Sequence, residues 1–296
     1  MKKWALILVL AASVGSIYIF IPSQLTFSKI IKANCSVGAA NRCFSDTSKW
    51  VGWWPAGYDH AITGIFYNEV RLRTTAGESV VNVIMRIAQS GNDSIRVGWE
   101  CSLPVSYNPW KRILAYRQRK VIGDHMEAVL NSFKSYAEDG RNIYGVVFKH
   151  TFSKDSTLIT LSGVSNGYPT TATIYGMIDS LKQYAGSQRA AEIDYPMLNV
   201  SKLNDTQYRL MVALSLNRTL AGNKRIIVKR FVPWKMIEGE VHGGAYTAEK
   251  ALKELYNFRD DYQLSIMAIP FQSLITDRSK VQDSTKWVTK VCAPIS

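Results

Sequence analysis

Histidine and cysteine are scarce in this chain: 296 residues hold four of each. His60, His125, His150 and His242 stand far apart and never in the HExxH spacing that sets two imidazoles on one helix face. Cys35, Cys43, Cys101 and Cys292 include no CxxC pair, so neither metal nor cofactor is expected. Acidic residues are the minority charge, 23 against 36 Lys plus Arg, for a formal net charge of +13. Such an excess attracts nucleic acid or anionic lipid but equally keeps a surface solvated, and by itself it names no partner. The densest basic run, KRILAYRQRK at 111–120, has no helix-turn-helix or comparable reader around it. It reads as a solvated strand end, and no nucleic-acid partner is expected. A nucleophile motif in its required setting is missing as well. GVSNG at 163–167 has the G-x-S-x-G form, yet Tyr168 and Pro169 separate it from the next helix, whereas a nucleophile elbow starts its helix at the serine. No catalytic residue is assigned.

What is present is enough apolar residue, 47% against 20% charged, for one large domain or two ordinary ones. Residues 1–22, MKKWALILVLAASVGSIYIFIP, place two lysines before eighteen uncharged residues, Trp4 to Ile21. As a helix that run is about 27 Å long, against a hydrocarbon core of about 30 Å. Ser13-Val14-Gly15 offers a small-x-small cleavage pattern, but hydrophobicity continues through Tyr18-Ile19-Phe20-Ile21, so the segment reads as an uncleaved anchor rather than a signal peptide. Lys2 and Lys3 precede it and the next charge is Lys29. The expectation is therefore a single-pass cell-membrane protein whose globular part lies on the extracytoplasmic side. An exported location would permit a Cys35–Cys43 disulfide; buried thiols are the competing reading.

Residues 23–139 form a first region. An extended stretch, QLTFSKIIKANCS, precedes a polar segment ending in KWVGWWP, and then come β-branched, alternating runs AITGIFYNEVRLR, SVVNVIMRIAQ and SIRVGWECSL. TTAGE and SGND supply turn chemistry between them, which predicts an antiparallel meander. The region closes on DHMEAVLNSFKSYAED, where Met126, Val129, Leu130, Phe133 and Ala137 recur at the spacing of one buried helical stripe. The tryptophans of KWVGWWP read as core or sheet-end closure, with Trp50, Trp53 and Trp54 at a cavity mouth as the alternative. Pro55 then stops the helix.

The order of these elements, the W..WWP box and the closing MEAVLNSFKSYAED resemble the SRPBCC (START-like, polyketide-cyclase-like) superfamily, specifically its membrane-tethered bacterial members, over residues 21–139. The resemblance implies a helix-grip fold with a hydrophobic cavity between sheet and long helix, used for lipids, polyketides or other apolar ligands.

Residues 141–296 contain an internal repeat. NIYGVVFKHTF, STLITLSG, TTATIYGMIDSLKQYA, EIDYPMLNV and QYRLMVALSL are answered by RIIVKRFVPWKMIEGEVHG, YTAEKALKELYNFRDDY, SIMAIPFQSLITD and KWVTKVCAPI. Ile174, Ile178, Leu181 and Ala185 share their spacing with Ala251, Leu255, Phe258 and Tyr262. Two strand-helix-strand-strand units packing as one pseudo-symmetric α+β domain are expected. VHGGAY (241–246), IPFQSLITDR (269–278) and KWVTKVCAPI (286–295) resemble the GyrI-like small-molecule-binding domain, also found as the effector-binding domain of some transcription regulators. That family commonly carries a buried glutamate in the strand corresponding to PFQSLITD, for cationic ligands or, in a hydrolytic subset, for acid–base work with an aromatic hydroxyl. By register on the Thr276-Asp277 turn its place is taken here by Gln272, and the usual tyrosine two residues on is Leu274. An amide exchanges no protons near neutral pH.

The functional expectation is a membrane-tethered, non-enzymatic binder of apolar or amphipathic small molecules, anchored through residues 4–21. Tyr175, Trp234, Tyr246, Phe271, Gln272 and Trp287 are the candidate ligand-binding residues. The alternatives are a hydrolase or cyclase of envelope-exposed small molecules, or an interaction scaffold whose cavities are vestigial. Nothing in the sequence sets the oligomeric state.

Overall fold

The computed structural model describes residues 2–77, 79–91 and 93–296, and the side chains of Lys2, Lys3 and Leu6 are outside the description. The expected orientation rested on Lys2 and Lys3, and the TTAGE and SGND turns include Glu78 and Asn92, so those expectations fall in part outside the described residues. The chain is α+β with two antiparallel sheets, and it divides into two compact units, Met1–Ile143 and Tyr144–Ser296.

The first unit runs α1 (Lys2–Phe20), β1 (Gln24–Ala33), α2 (Val37–Ser45), α3 (Trp50–Trp53), β2 (Ala61–Phe66), β3 (Glu69–Ala76), β4 (Ser79–Gly91), β5 (Ser94–Pro104), α4 (Pro109–Arg117) and α5 (Arg119–Ala137), with α6 (Gly140–Tyr144) across the boundary. Its sheet has the order β1-β5-β4-β3-β2. Alternation decides the inward face: Val81, Val83, Met85 and Ile87 of β4 and Ile95, Val97, Trp99, Cys101 and Leu103 of β5 are buried while the residues between them are not. The helix that covers them, α5, buries Ile122, His125, Met126, Val129, Leu130, Phe133 and Ala137. That is the predicted stripe continued toward the N-terminus.

Short elements between them are set by caps. Ser36 Oγ accepts from Ala39 N at 3.0 Å to start α2. Asn108 Oδ1 accepts from Trp110 N at 2.9 Å ahead of Pro109, so KRILAYRQRK is helical across α4 and α5 rather than a strand end. Trp50, Trp53 and Trp54 are buried with Phe44, Phe133 and Trp99, Trp53 lying 4.6 Å from Trp50 and 5.1 Å from Phe133 between ring centroids. Gly52 separates them because a Cβ there would stand 2.6 Å from Tyr136 Cε2 of α5. Cys35 is a buried free thiol, so the Cys35–Cys43 bridge is not made. Burial pushes the Cys35 pKa up to about 12.

The membrane anchor is corrected. No helix among the described residues is long and apolar enough to cross a membrane, which overturns the single-pass location and the extracytoplasmic placement that followed from it. Helix α1 ends at Phe20, so its uncharged part from Trp4 rises only about 26 Å, short of a hydrocarbon core of about 30 Å, and Ser13, Gly15 and Ser16 interrupt the apolar run. The chain beyond α1 is tied to α4: Arg112 Nε donates to Ile21 O at 2.6 Å, and its guanidinium lies 4.7 Å from the Tyr18 ring centroid.

The second unit runs β6 (Phe148–Phe152), β7 (Ser156–Asn166), α7 (Thr171–Ser187), β8 (Met197–Lys202), β9 (Gln207–Leu216), β10 (Ile227–Phe231), β11 (Lys235–His242), α8 (Ala245–Asp261), β12 (Phe271–Leu274) and β13 (Val288–Pro294). The sheet order β10-β7-β9-β8-β12-β13-β11-β6 is symmetric about the β8/β12 junction. The opening strand of each repeat crosses over: β6 pairs with β11 and β10 with β7. Neither repeat completes its sheet edge alone. Expressed separately, the fragments 23–139 and 141–296 are each expected to melt cooperatively; two featureless melts by circular dichroism would count against autonomous units.

Candidate ligand-binding site

Strand parity assigns every residue of the second sheet to one of two faces. On one face Ile174, Ile178 and Leu181 of α7 pack with Leu198, Leu210, Val212 and Leu274. Phe258 of α8 meets Phe148 with ring centroids 5.1 Å apart, and Phe148 belongs to the same face through the register Phe148↔Gly239↔Val291↔Gln272. Gly239 leaves room there, since a Cβ would lie 2.8 Å from Phe148 Cδ1. The opposite face carries a different row: Ile227↔Thr160↔Ala213↔Met197↔Ser273↔Lys290↔Glu240.

On that second face lies a cavity of about 340 Å³, walled by Phe152, Tyr195, Met197, Phe231, Met236 and Phe271 and with Ser215, Ser273, Glu238, Lys290 and Cys292 among its polar groups. A second cavity of about 210 Å³ adjoins it, sharing Met197, Phe231 and Phe271 and adding Leu158, Met211, Ala213, Ile269 and Pro294. One chamber is therefore lined largely by polar groups and the other mainly by apolar ones, with the aromatic and thioether side chains of Met197, Phe231 and Phe271 common to both.

The electrostatics of the polar chamber centre on a cross-strand ion pair. Lys290 Nζ donates to Glu238 Oε1 at 3.1 Å, and both side chains are about one-third exposed. This bond is the main cause that raises the Lys290 pKa above its ordinary value. Beside it, Cys292 is pushed up to about 12, first by burial and then by the Glu238 charge, so its thiol stays protonated at neutral pH. No histidine lines either chamber. Apolar contact, hydrogen bonding and a charge pair are what this surface offers a small molecule.

The candidate residues read from sequence fall in several places. Phe271 is on the wall shared by both chambers. Tyr175, Gln272 and Trp287 gather on the helix-covered face around Arg278. Its backbone N donates to the Tyr175 hydroxyl at 2.7 Å, its Nη2 donates to Thr289 Oγ1 at 2.7 Å, and its guanidinium lies 4.9 Å from the Trp287 ring centroid. Burial lowers the Arg278 pKa from its ordinary value, while Tyr168 is pushed up to about 12, first by burial and then by the Glu249 charge, against the opposing pull of Gln272 and Arg278. Gln272 Oε1 and Arg278 Nε are buried without a hydrogen-bond partner. Trp234 and Tyr246 lie toward the surface, 39% and 78% exposed. Trp50, Trp53 and Trp54 are in the core of the first unit. Ser165 of GVSNG sits within β7 opposite Tyr208, not at a strand-to-helix elbow.

Glu238, Lys290, Met197, Phe231 and Tyr195 were not singled out by sequence reasoning. The alternation in KMIEGEVH and WVTKVCAPI marks Glu238 and Lys290 as strand residues facing away from Ile237 and Val291, but only the register shows that their face is the one without helices.

No protein-family profile and no curated protein matches the chain. Solved structures similar to it include the C-terminal domain of EcmrR, at 13% identity and a TM-score of 0.44, covering 51% of this chain and 98% of that one. SAV2435 bound to tetraphenylphosphonium is similar at 13% identity and a TM-score of 0.34, covering 51% and 94%. The ZhuI aromatase/cyclase from Streptomyces sp. R1128 is similar at 10% identity and a TM-score of 0.31, covering 39% and 94%. At these identities and TM-scores the likenesses carry no functional argument, and the site's own geometry must supply it.

Proposed function

We propose that the second unit binds an apolar or amphipathic small molecule on the sheet face opposite its helices. The observation that carries this reading is the pair of adjoining chambers, one mainly apolar and one lined in part by the Glu238–Lys290 pair, with the walls Met197, Phe231 and Phe271 shared between them. The two repeats, side by side in one sheet, bury apolar residues between that sheet and the helices, so side chains as apolar as Phe231, Met197 and Phe271 on the other face have no packing duty toward α7 or α8. Their clustering there fits a ligand surface.

The test is fluorescence titration of the full chain with N-phenyl-1-naphthylamine, a neutral apolar dye. Saturable binding is expected. Phe271→Ala should weaken it roughly tenfold or more, because a lost aromatic wall removes on the order of 1.5–3 kcal/mol of contact. Tyr246→Ala, at the surface and lining neither chamber, should leave it unchanged. Binding without saturation, or unaffected by Phe271→Ala in a variant with an unchanged circular dichroism spectrum, would remove the chambers from consideration.

A further inference from the structure

The polar chamber does more than end the site. Its charged residues are Lys154, Asp194, Glu238 and Lys290, two bases and two acids. Along its lining, one of the three Lys290 N–H donors is spent on Glu238 Oε1. Donors therefore remain on Lys290 and an acceptor, Oε2, on Glu238, side by side on adjacent antiparallel strands. Lys149 stands opposite Glu238 and Glu240 opposite Lys290 in the strand register, so acid and base alternate across β6, β11 and β13.

We infer that the ligand of this site carries a polar head with no net charge, a zwitterion or a group that both donates and accepts such as a carboxamide, seated across Glu238 and Lys290. This rests on the binding reading above and adds the class of head group to it. A cationic head satisfies Glu238 only by standing against the Lys290 ammonium, and an anionic head satisfies Lys290 only by standing against the Glu238 carboxylate. In a chamber partly withdrawn from water, each such like-charge contact is penalised more than it is in bulk solvent. A head that brings both signs, or both a donor and an acceptor, meets the pair without breaking it. The apolar remainder of such a molecule lies against Met197, Phe231 and Phe271.

The test displaces N-phenyl-1-naphthylamine from the full chain with three amphiphiles sharing one dodecyl tail, each below its micelle concentration: a dimethylglycine betaine, a trimethylammonium and a sulfate. In wild type the betaine should displace the dye at a concentration roughly tenfold below either charged probe. Lys290→Met, which keeps the length of the stem, should leave Glu238 unpaired and move first place to the trimethylammonium. Glu238→Gln should move it to the sulfate. The double substitution should abolish the ranking while dye binding persists, which also guards against a single variant that folds poorly. Equal displacement by all three probes in wild type, or a ranking that neither single substitution changes, would overturn the head-group assignment even with dye binding intact. Absence of saturable dye binding in wild type would instead remove the underlying site.

Discussion

Trp53→Ala should destabilise the first unit by about 3–5 kcal/mol, the range for removing a large aromatic side chain from a core that relaxes only in part. Trp53 is 1% exposed. Its ring is within 6.2 Å of Phe44, 5.6 Å of Trp54, 5.1 Å of Phe133 and 4.6 Å of Trp50, centroid to centroid. The surrounding groups are held by bonds of their own: Trp50 Nε1 donates to Phe44 O at 3.1 Å and Trp54 Nε1 donates to Tyr58 O at 2.9 Å. They have little freedom to fill the space, so most of the hole should remain. Trp53 Nε1 is buried without an acceptor, which makes Trp53→Phe the informative control. It keeps much of the ring area and removes the unpaired donor, and it should fall well short of the alanine variant. Urea melts of the full chain, followed in the near ultraviolet where the indole cluster contributes, measure both. A loss under about 1 kcal/mol for Trp53→Ala, with new dye binding in the first unit, would make the tryptophans a cavity lining instead of a core.

How far the sequence could be read depended on the range of the interaction being read. The stripe Met126, Val129, Leu130, Phe133 and Ala137 needed only helical periodicity and lies buried in α5. Ile174, Ile178, Leu181 and Ala185 are likewise buried along α7. Local patterns failed where a cap or a distant strand decides. KRILAYRQRK became helical because Asn108 and Pro109 start a helix just before it. The exchange of β6 and β10 between the repeats joins residues such as Ile237 and His150, whose pairing leaves no local signature in either strand. The apolar start of the chain matched an anchor in composition while ending at Phe20, too early for one.

The site was harder to read than the fold for a related reason. A strand residue's face is set by parity, and a one-residue difference in register moves it from one face to the other. The turn at Thr276-Asp277 drew attention to Gln272, which parity places with Leu274 on the helix side, while its neighbours Phe271 and Ser273 face the chambers. Glu238 and Lys290 are fifty-odd residues apart and meet only through the pairing of β11 with β13.

The stability of the first unit should fall with mild acid, and His125 is the residue expected to drive it. Its imidazole is 3% exposed on the sheet-facing side of α5. The ring stands 4.1 Å from Tyr58 and 5.7 Å from Trp99 between centroids; Nε2 lies 3.5 Å from Thr74 Oγ1, and Nδ1 is buried without a partner. Desolvation is the main cause that lowers its pKa from the ordinary 6.5, partly opposed by the charge of Asp59. A group whose folded pKa is depressed binds its proton more readily when the chain unfolds. Between the folded value and 6.5 the unfolded state therefore holds more protons, so this contribution to stability is complete above the window and is lost as pH falls through it toward the folded value. His60, stacked on Trp50 and Trp54, is shifted in the same direction by desolvation and adds to the slope. Asp59 and Glu69 are held below the ordinary carboxylate range by hydrogen bonds, from Thr75 for Asp59 and from Arg71 and Arg86 for Glu69, so they enter only at lower pH. Melting temperatures taken from about pH 7.5 down to about pH 5.5 should decline in wild type. His125→Leu, which removes the titrating ring and its unpaired nitrogen together, should keep only the shallower decline due to His60 and should surpass wild type at the acid end. An undiminished slope in that variant would show that the proton is taken up elsewhere.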